Sequence, residues 1–335
     1  GNQFLNLTHA FGCPPDLASI AHVHPYPHAI AFSFPLPGGN SLMYFANDGG
    51  IYRALDGFNG LSSGSCGDTN QFDDLNQTLG SMTQFVSFSQ HPTDLNTLLG
   101  GAQSNGSPAT STSQNSMAWL NVNSGDGGFS AINSANPLEW FTENTDVSIQ
   151  RCTKGVACHA SDFVPVVEPD TVGGDHGAFY TPYILDPQTT SSQLIVGTCR
   201  VWRGAGAGGT FMALSNSFET GAGGCTGSEV NTVRSLAAGG PPDQPGLSTV
   251  LSAGTHGEGP SQTSGTPGGR IWVTTNTSGG PSMWMDVTNG INPDEYPVAS
   301  IAIDPSDTTG HTAYAAIMGF HTSHVWKTTT AGASW

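Results

Sequence analysis

A chain that repeats one local pattern must stack the copies or close them into a ring, and this one repeats a pattern six times. Residues 325–335, VWKTTTAGASW, read as a strand, a Thr-rich turn around Gly332 and a bulky aromatic. β-branched and aromatic residues suit strands, and Gly permits the tight turn. The phrase returns at residues 271–290, IWVTTNTSGGPSMWMDVTNG, and at 201–215, with Phe211 in the aromatic slot. Looser copies stand at residues 149–166 and 51–60.

A strand–turn–strand phrase precedes each copy. AIDPSDTTGHTAYAAIMG, at 302–319, is the clearest; 184–200, 88–103, 129–144 and 31–47 share its form, and 247–259 is a weak version. Together the phrases define units of roughly 40 to 65 residues, each about four short strands separated by Gly, Pro, Asn and Asp. Such units predict an all-β chain, a β-propeller of four-stranded antiparallel blades. No long segment has helical periodicity. With no linker or composition break, residues 1–335 are expected to form a single propeller domain.

The strand–turn–aromatic phrase resembles the Asp-box, or BNR, repeat (S/T-x-D-x-G-x-x-W) of sialidases, sortilin-type receptor propellers and xyloglucanase-type glycosidases. YFANDGGIYRALDG (44–57), HPTDLNTLLGGAQSNGS (91–107), GDGGFSAI (125–132) and HVWKTTTAGASW (324–335) carry the resemblance, which runs along the whole chain. The chain looks most similar to secreted bacterial BNR-like repeat proteins, which implies an extracellular or cell-surface location. Such propellers usually have seven or more blades, and this chain stops partway through a hairpin. The resemblance therefore implies a larger ring in a longer natural protein, or a last blade completed by residues 4–7. In the family, the box Asp bonds turn amides and the Trp wedges into the blade. Here Thr330 takes the Asp slot in the last unit and Gly206 or Ala207 in the fourth, and Asp56 alone keeps an acid near the expected place. We expect structural turns, with Trp335 as a packing wedge. Trp326 and Trp335 should lie in the last blade, Trp284 in the one before and Trp202 in the one before that.

Composition narrows the partners. Lys and Arg total 8 against 25 acids, a net charge of −17. Nucleic acid is disfavoured, because its binding rests on basic phosphate contacts. Anionic membrane surfaces are disfavoured for the same reason, and no apolar stretch is long enough to span a bilayer. The polar surface must come from Ser, Thr, Asn, Gln and Gly, which suits a glycan or an extracellular protein. Open blade edges also offer self-assembly. Cys13, Cys66, Cys152, Cys158, Cys199 and Cys225 form an even set without CxxC spacing. We expect bridges 13–66, 152–158 and 199–225, formed in an oxidising compartment, although fifteen pairings are open. Sequons begin at Asn6, Asn76, Asn105 and Asn276, and residues 104–116 read as an exposed Ser/Thr-rich loop.

Three acids in Gly-rich turns are candidates for chemistry: Asp48 in NDGGIYR, Asp126 in GDGGF and Asp175 in GGDHG. Asp48 best matches the xyloglucanase-type motif, although the family's second catalytic motif is not found. Glycosidases of this fold set two carboxylates across a groove. The competing reading is that each Asp caps its own turn. A sialidase grips a carboxylate with three arginines. The six here are Arg53, Arg151, Arg200, Arg203, Arg234 and Arg270, without an Arg-Ile-Pro signature. His24 and His28, in HVHPYPH, are candidate metal ligands, and calcium is the ion natural to an acidic secreted chain. No G-x-S-x-G elbow or G-K-S/T loop is present. Two functions remain open: a secreted non-catalytic propeller that binds glycan or protein or builds a surface assembly, and a glycoside hydrolase of the xyloglucanase-like type.

Overall fold

The computed structural model describes residues 27–33, 42–54, 72–76, 83–111, 119–219, 225, 230–244, 246–261 and 267–335. The chain divides into two compact units, Gly1–Gln84 and Phe85–Trp335. The all-β expectation holds: the described strands form β-propeller blades, and the described helices are single 3-10 turns. No helix among the described residues is long and apolar enough to cross a membrane.

Among the described residues the smaller unit carries one sheet, β1 (Pro27–Phe32), β2 (Met43–Asn47), β3 (Gly50–Ala54) and β4 (Phe72–Asp74), in sequence order. Burial alternates along β2, as a period of two requires. Met43, Phe45 and Ala54 face inward, and Phe72 meets Phe45 edge-on at 5.4 Å. Asn76 clamps the β2–β3 turn, its Oδ1 accepting from Ile51 N–H at 2.8 Å and its Nδ2 donating to Gly49 O at 3.0 Å.

The larger unit carries five sheets. The first is β5 (Phe85–Gln90), β6 (Leu98–Ala102), β7 (Ser107–Thr110) and β8 (Leu120–Asn123); the second is β9 (Ser130–Ile132), β10 (Trp140–Glu143), β11 (Ile149–Cys152) and β12 (Val164–Val167). The third is β13 (Tyr183–Leu185), β14 (Gln193–Gly197), β15 (Val201–Ala205) and β16 (Met212–Ala213). The fourth is β17 (Val233–Pro242), β18 (Ser248–Thr255), β19 (Ile271–Thr274) and β20 (Met285–Asp286). The fifth has three strands, β21 (Val298–Ile303), β22 (Ala313–Ile317) and β23 (Val325–Thr328). Every sheet is antiparallel and ordered as the chain runs. Residues 4–7, on which the closure expectation falls, lie outside the described residues, as do Asp56 and residues 112–116 of the expected Ser/Thr-rich loop.

Two local rules build these sheets. In each first hairpin, one side chain accepts turn amides: His91 Nδ1 from Asp94 N–H (3.0 Å), Asn133 Oδ1 from Ala135 N–H (2.9 Å), Asp186 Oδ1 from Gln188 N–H (3.1 Å), Asp243 Oδ1 from Leu247 N–H (2.7 Å) and Asp304 Oδ1 from Ser306 N–H (2.9 Å). At Asn133, Asp186 and Asp304 this is Asx-turn chemistry, and His91 and Asp243 hold their hairpins in a similar way over a longer reach. The second rule concerns the aromatic that follows the third strand and, in the four-stranded sheets, stands just before the fourth: Trp119, Phe163, Phe211, Trp284 and Trp335. Each of the last four shares a core cluster with the residue three positions after the aromatic of the sheet before it: Val122, Val166, Leu214 and Val287. The two later tryptophans also donate their indole N–H to that residue's carbonyl, Trp284 to Leu214 at 2.9 Å and Trp335 to Val287 at 2.8 Å. The wedge expected of Trp335 is therefore a joint between neighbouring sheets. Trp202 lies on β15 and Trp326 on β23, in the blades expected.

The turns after β19 and β23 hold without an acid, whereas Asp162 accepts from His159 N–H between β11 and β12. Thr328 Oγ1 accepts from Thr330 and Gly332 N–H at 3.1 and 3.0 Å, and Thr330 Oγ1 accepts from Ser334 N–H at 3.0 Å. In the sheet before, Asn276 Oδ1 accepts from Gly279 N–H at 3.1 Å.

Two strands depart from the sequence reading. Ser107–Thr110 falls in the expected Ser/Thr-rich loop, yet it is the fully buried strand β7. Small side chains let that strand be covered closely while its backbone pairs with β6 and β8. The ten-residue β17 was not anticipated, because VRSLAAGGPP offers almost no β-branched signal.

Candidate functional site

The first strands of the larger unit's five sheets converge on a cavity of about 500 Å³. Val86 lines it from β5, Phe129 from the approach to β9, Phe179 and Tyr180 from the approach to β13, Arg234 from β17, and Ala299 and Ser300 from β21. His256, just past β18, closes the wall beside Arg234, whose Nη1 lies 3.2 Å from His256 Nε2. Phe179 and Tyr180 pack edge to face at 4.8 Å, with Phe179 half exposed.

A buried carboxyl supports the wall. Glu143, at the end of β10, is 3 % exposed. Its Oε2 accepts from Phe129 N–H at 2.7 Å and its Oε1 from Thr181 N–H, so it ties the approaches to β9 and β13 together. Burial pushes this carboxyl well above the ordinary glutamate range, against the pull of the two N–H donors, and Asp146 adds repulsion. Burial, then the nearby Asp126 and Glu143, push the Tyr180 phenol up as well. A carboxyl raised in the folded state contributes stability that is complete below the unfolded value, about 4.3, and is lost as pH rises through the folded one. Urea titrations of wild type and Glu143→Gln across that rise should show wild type losing stability relative to the variant. Parallel curves would contradict the assignment.

Near the wall, Asp146 accepts from Gly177 N–H at 2.8 Å and lies 2.7 Å from His176 Nδ1. Partial burial would raise the Asp146 carboxyl, but Gly177 and His176 outweigh it and hold the group below the usual range. The hydrogen bond that His176 donates to the Asp146 carboxylate raises the exposed imidazole.

None of the acids singled out from sequence is a lining residue of the cavity, although Asp126 lies close enough to Tyr180 to act on its phenol. Asp48 and His28 are brought together in the smaller unit, where His28 Nε2 pairs with Asp48 Oδ1. Asp126 Oδ1 accepts from Ser104 N–H at 2.8 Å and Ser104 Oγ at 3.3 Å, holding a residue at φ 59°. Asp175 is buried; it pairs with Arg200 and accepts from Thr198 Oγ1 at 2.7 Å and Trp202 Nε1 at 3.1 Å. Asp175 also forms, with Cys199 and Cys225, the one grouping of three potential metal ligands among the described residues. Both sulfurs are joined in a disulfide and offer no thiolate.

Cys152–Cys158 and Cys199–Cys225 are bridged as expected, with Cα separations of 6.1 and 5.5 Å. They are compatible with an oxidising compartment. Cys13, Cys66, His24 and Asn6 lie outside the described residues. Of the other sequon asparagines, Asn76 and Asn276 spend their side chains on turns, and Asn105 Nδ2 donates to Gln103 O at 3.0 Å. Sequence reasoning stopped at Asp175 in GGDHGAFYTP, whereas Phe179 and Tyr180, a few residues on, line the cavity.

No protein-family model matches this chain, and no curated protein sequence does. Solved structures do. An ancestral GH74 enzyme aligns with TM-score 0.53 at 12% identity, over 90% of this chain and 36% of its own. The GH74 enzyme of Niastella koreensis aligns with TM-score 0.50 at 15% identity, over 94% of this chain and 47% of its own. The chain thus spans between about a third and a half of those enzymes' length. At such identities the likeness shows the fold, a β-propeller, alone.

Proposed function

We propose that the protein is a secreted, non-catalytic β-propeller that binds glycan in the cavity of its larger unit. The observation that carries this reading is the cavity wall. Three aromatic rings, Phe129, Phe179 and Tyr180, stand with the polar groups of Arg234, His256 and Ser300 around one space of about 500 Å³. Apolar walls with a few convergent polar groups are the usual make-up of a small-molecule site. Aromatic faces suit the C–H faces of sugar rings, and neutral donors and acceptors suit their hydroxyls. The disulfides agree with an extracellular setting, and the Thr- and Asn-held turns agree with a degenerate Asp-box lineage.

The non-catalytic part rests on how the candidate acids are used. A glycosidase needs two carboxyls flanking the scissile bond. Asp48 belongs to the smaller unit, Asp126 holds the Ser104 turn, and Asp175 is buried against Arg200 and Trp202.

A glycan array with wild type and Phe179→Ala tests the reading. Wild type should retain a subset of oligosaccharides, and Phe179→Ala should weaken that binding about tenfold, the equivalent of ~1.4 kcal/mol. An array without retained sugar would overturn the glycan reading. New reducing ends released from β-glucan oligosaccharides would overturn the non-catalytic one and restore the glycoside hydrolase.

A further inference from the structure

We infer that this cavity selects glycans bearing a carboxylate, with a uronic acid residue as the unit it takes; the inference rests on the glycan-binding reading above. It starts from an accounting of cations. Arg53 pairs with Asp73, Arg151 with Glu139, Arg200 with Asp175, Arg203 with Asp186 and Arg270 with Glu295. Among the described residues Arg234 is the one arginine without a carboxylate, in a chain where acids outnumber Lys and Arg by 25 to 8. Its hydrogen bond is to the ring of His256, and its Nε is shut off from solvent without any acceptor.

A second residue of the same wall tells the same story. The Tyr180 hydroxyl is also shut off from solvent and has no partner. Buried polar groups are nearly always hydrogen-bonded; of the nine buried side-chain polar atoms without a partner among the described residues, these two belong to residues that line one cavity, and Arg234 is the arginine there whose charge no carboxylate of the protein meets. A planar guanidinium fork is matched by a carboxylate, which accepts two parallel hydrogen bonds. The remaining lining asks for a ring with hydroxyls: Phe129 and Phe179 offer faces, and Ser300 and Tyr180 offer hydroxyls. A hexuronate has both the carboxylate and the ring, and the cavity is roomy enough for it and a neighbouring sugar.

Titration calorimetry with a glucuronate-terminated disaccharide and with its methyl ester tests the inference. Wild type should bind the acid at least about tenfold tighter than the ester, as the loss of one charge-assisted contact implies. Arg234→Gln should abolish that preference, Arg234→Lys should keep part of it, and Tyr180→Phe should weaken both probes. The wild-type acid-to-ester ratio needs no variant to fold. Acid and ester binding equally, both weakened by Phe179→Ala, would sink the carboxylate inference and leave the glycan reading standing. Binding of neither probe, with an empty array, would sink both.

Discussion

Replacing Asp186 with alanine should cost about 3–5 kcal/mol of folding stability, because it leaves a buried guanidinium without its counter-charge. The side chains of Arg203 and Asp186 are 5% and 0% exposed. Arg203 Nη2 donates to Asp186 Oδ2 at 3.1 Å and to Ser248 O at 2.9 Å. Asp186 also accepts from Ser248 Oγ at 2.6 Å and from Ser248 N–H at 3.1 Å, reaching from one sheet's first hairpin to the next sheet's second strand. Burial lowers the Arg203 pKa, against the opposing pull of Asp186 and Asp243. Urea denaturation would read the loss. Removing both charges at once, with Asp186→Leu and Arg203→Met, should recover much of it, since a well-packed apolar pair often equals a buried ion pair. A single variant within 0.5 kcal/mol of wild type, about the ordinary surface effect, would refute the clamp.

Trp284→Ala should cost a similar ~3–5 kcal/mol, the range for deleting a large buried aromatic. Trp284 is 9% exposed, meets Phe218 at 5.6 Å and donates to the Leu214 carbonyl. Trp284→Phe separates wedge from hydrogen bond. It should cost about 1 kcal/mol for the bond, plus a smaller packing loss. The reason is internal to the molecule: Phe211 fills the same slot one sheet earlier and is 3% exposed. Denaturation midpoints that fall equally for both variants would show that the slot reads the indole specifically, contrary to the repeat rule.

The fold was legible where a repeated phrase marks a repeated contact. Trp335, Trp284 and Phe211 stand in matching sequence slots because they do the same job at successive joints. Legibility failed at β7 and β17, whose Ala, Gly, Ser and Pro carry no strand preference and whose extended state is imposed by neighbouring strands. The site was legible only in part. Asp175 drew attention to the right stretch, but a buried acid with satisfied oxygens and a functional one look alike in sequence. Arg234 was one of six arginines. Its difference from the others is the lack of a carboxylate partner, which depends on strands from five sheets meeting at one place.

Each aromatic joint is supplied by the later of two sheets and serves the earlier one. During synthesis, then, a sheet leaves the ribosome with one apolar flank bare, and at the two tryptophan joints with its carbonyl cap missing, until the following sheet's aromatic is made. From Leu214 to Trp284 that wait is seventy residues, several seconds at the ~5–20 residues per second of translation. Maturation is thus vectorial, always one sheet behind elongation. The nascent chain's window of exposure to aggregation or chaperone capture is longest over the long β17–β20 segment.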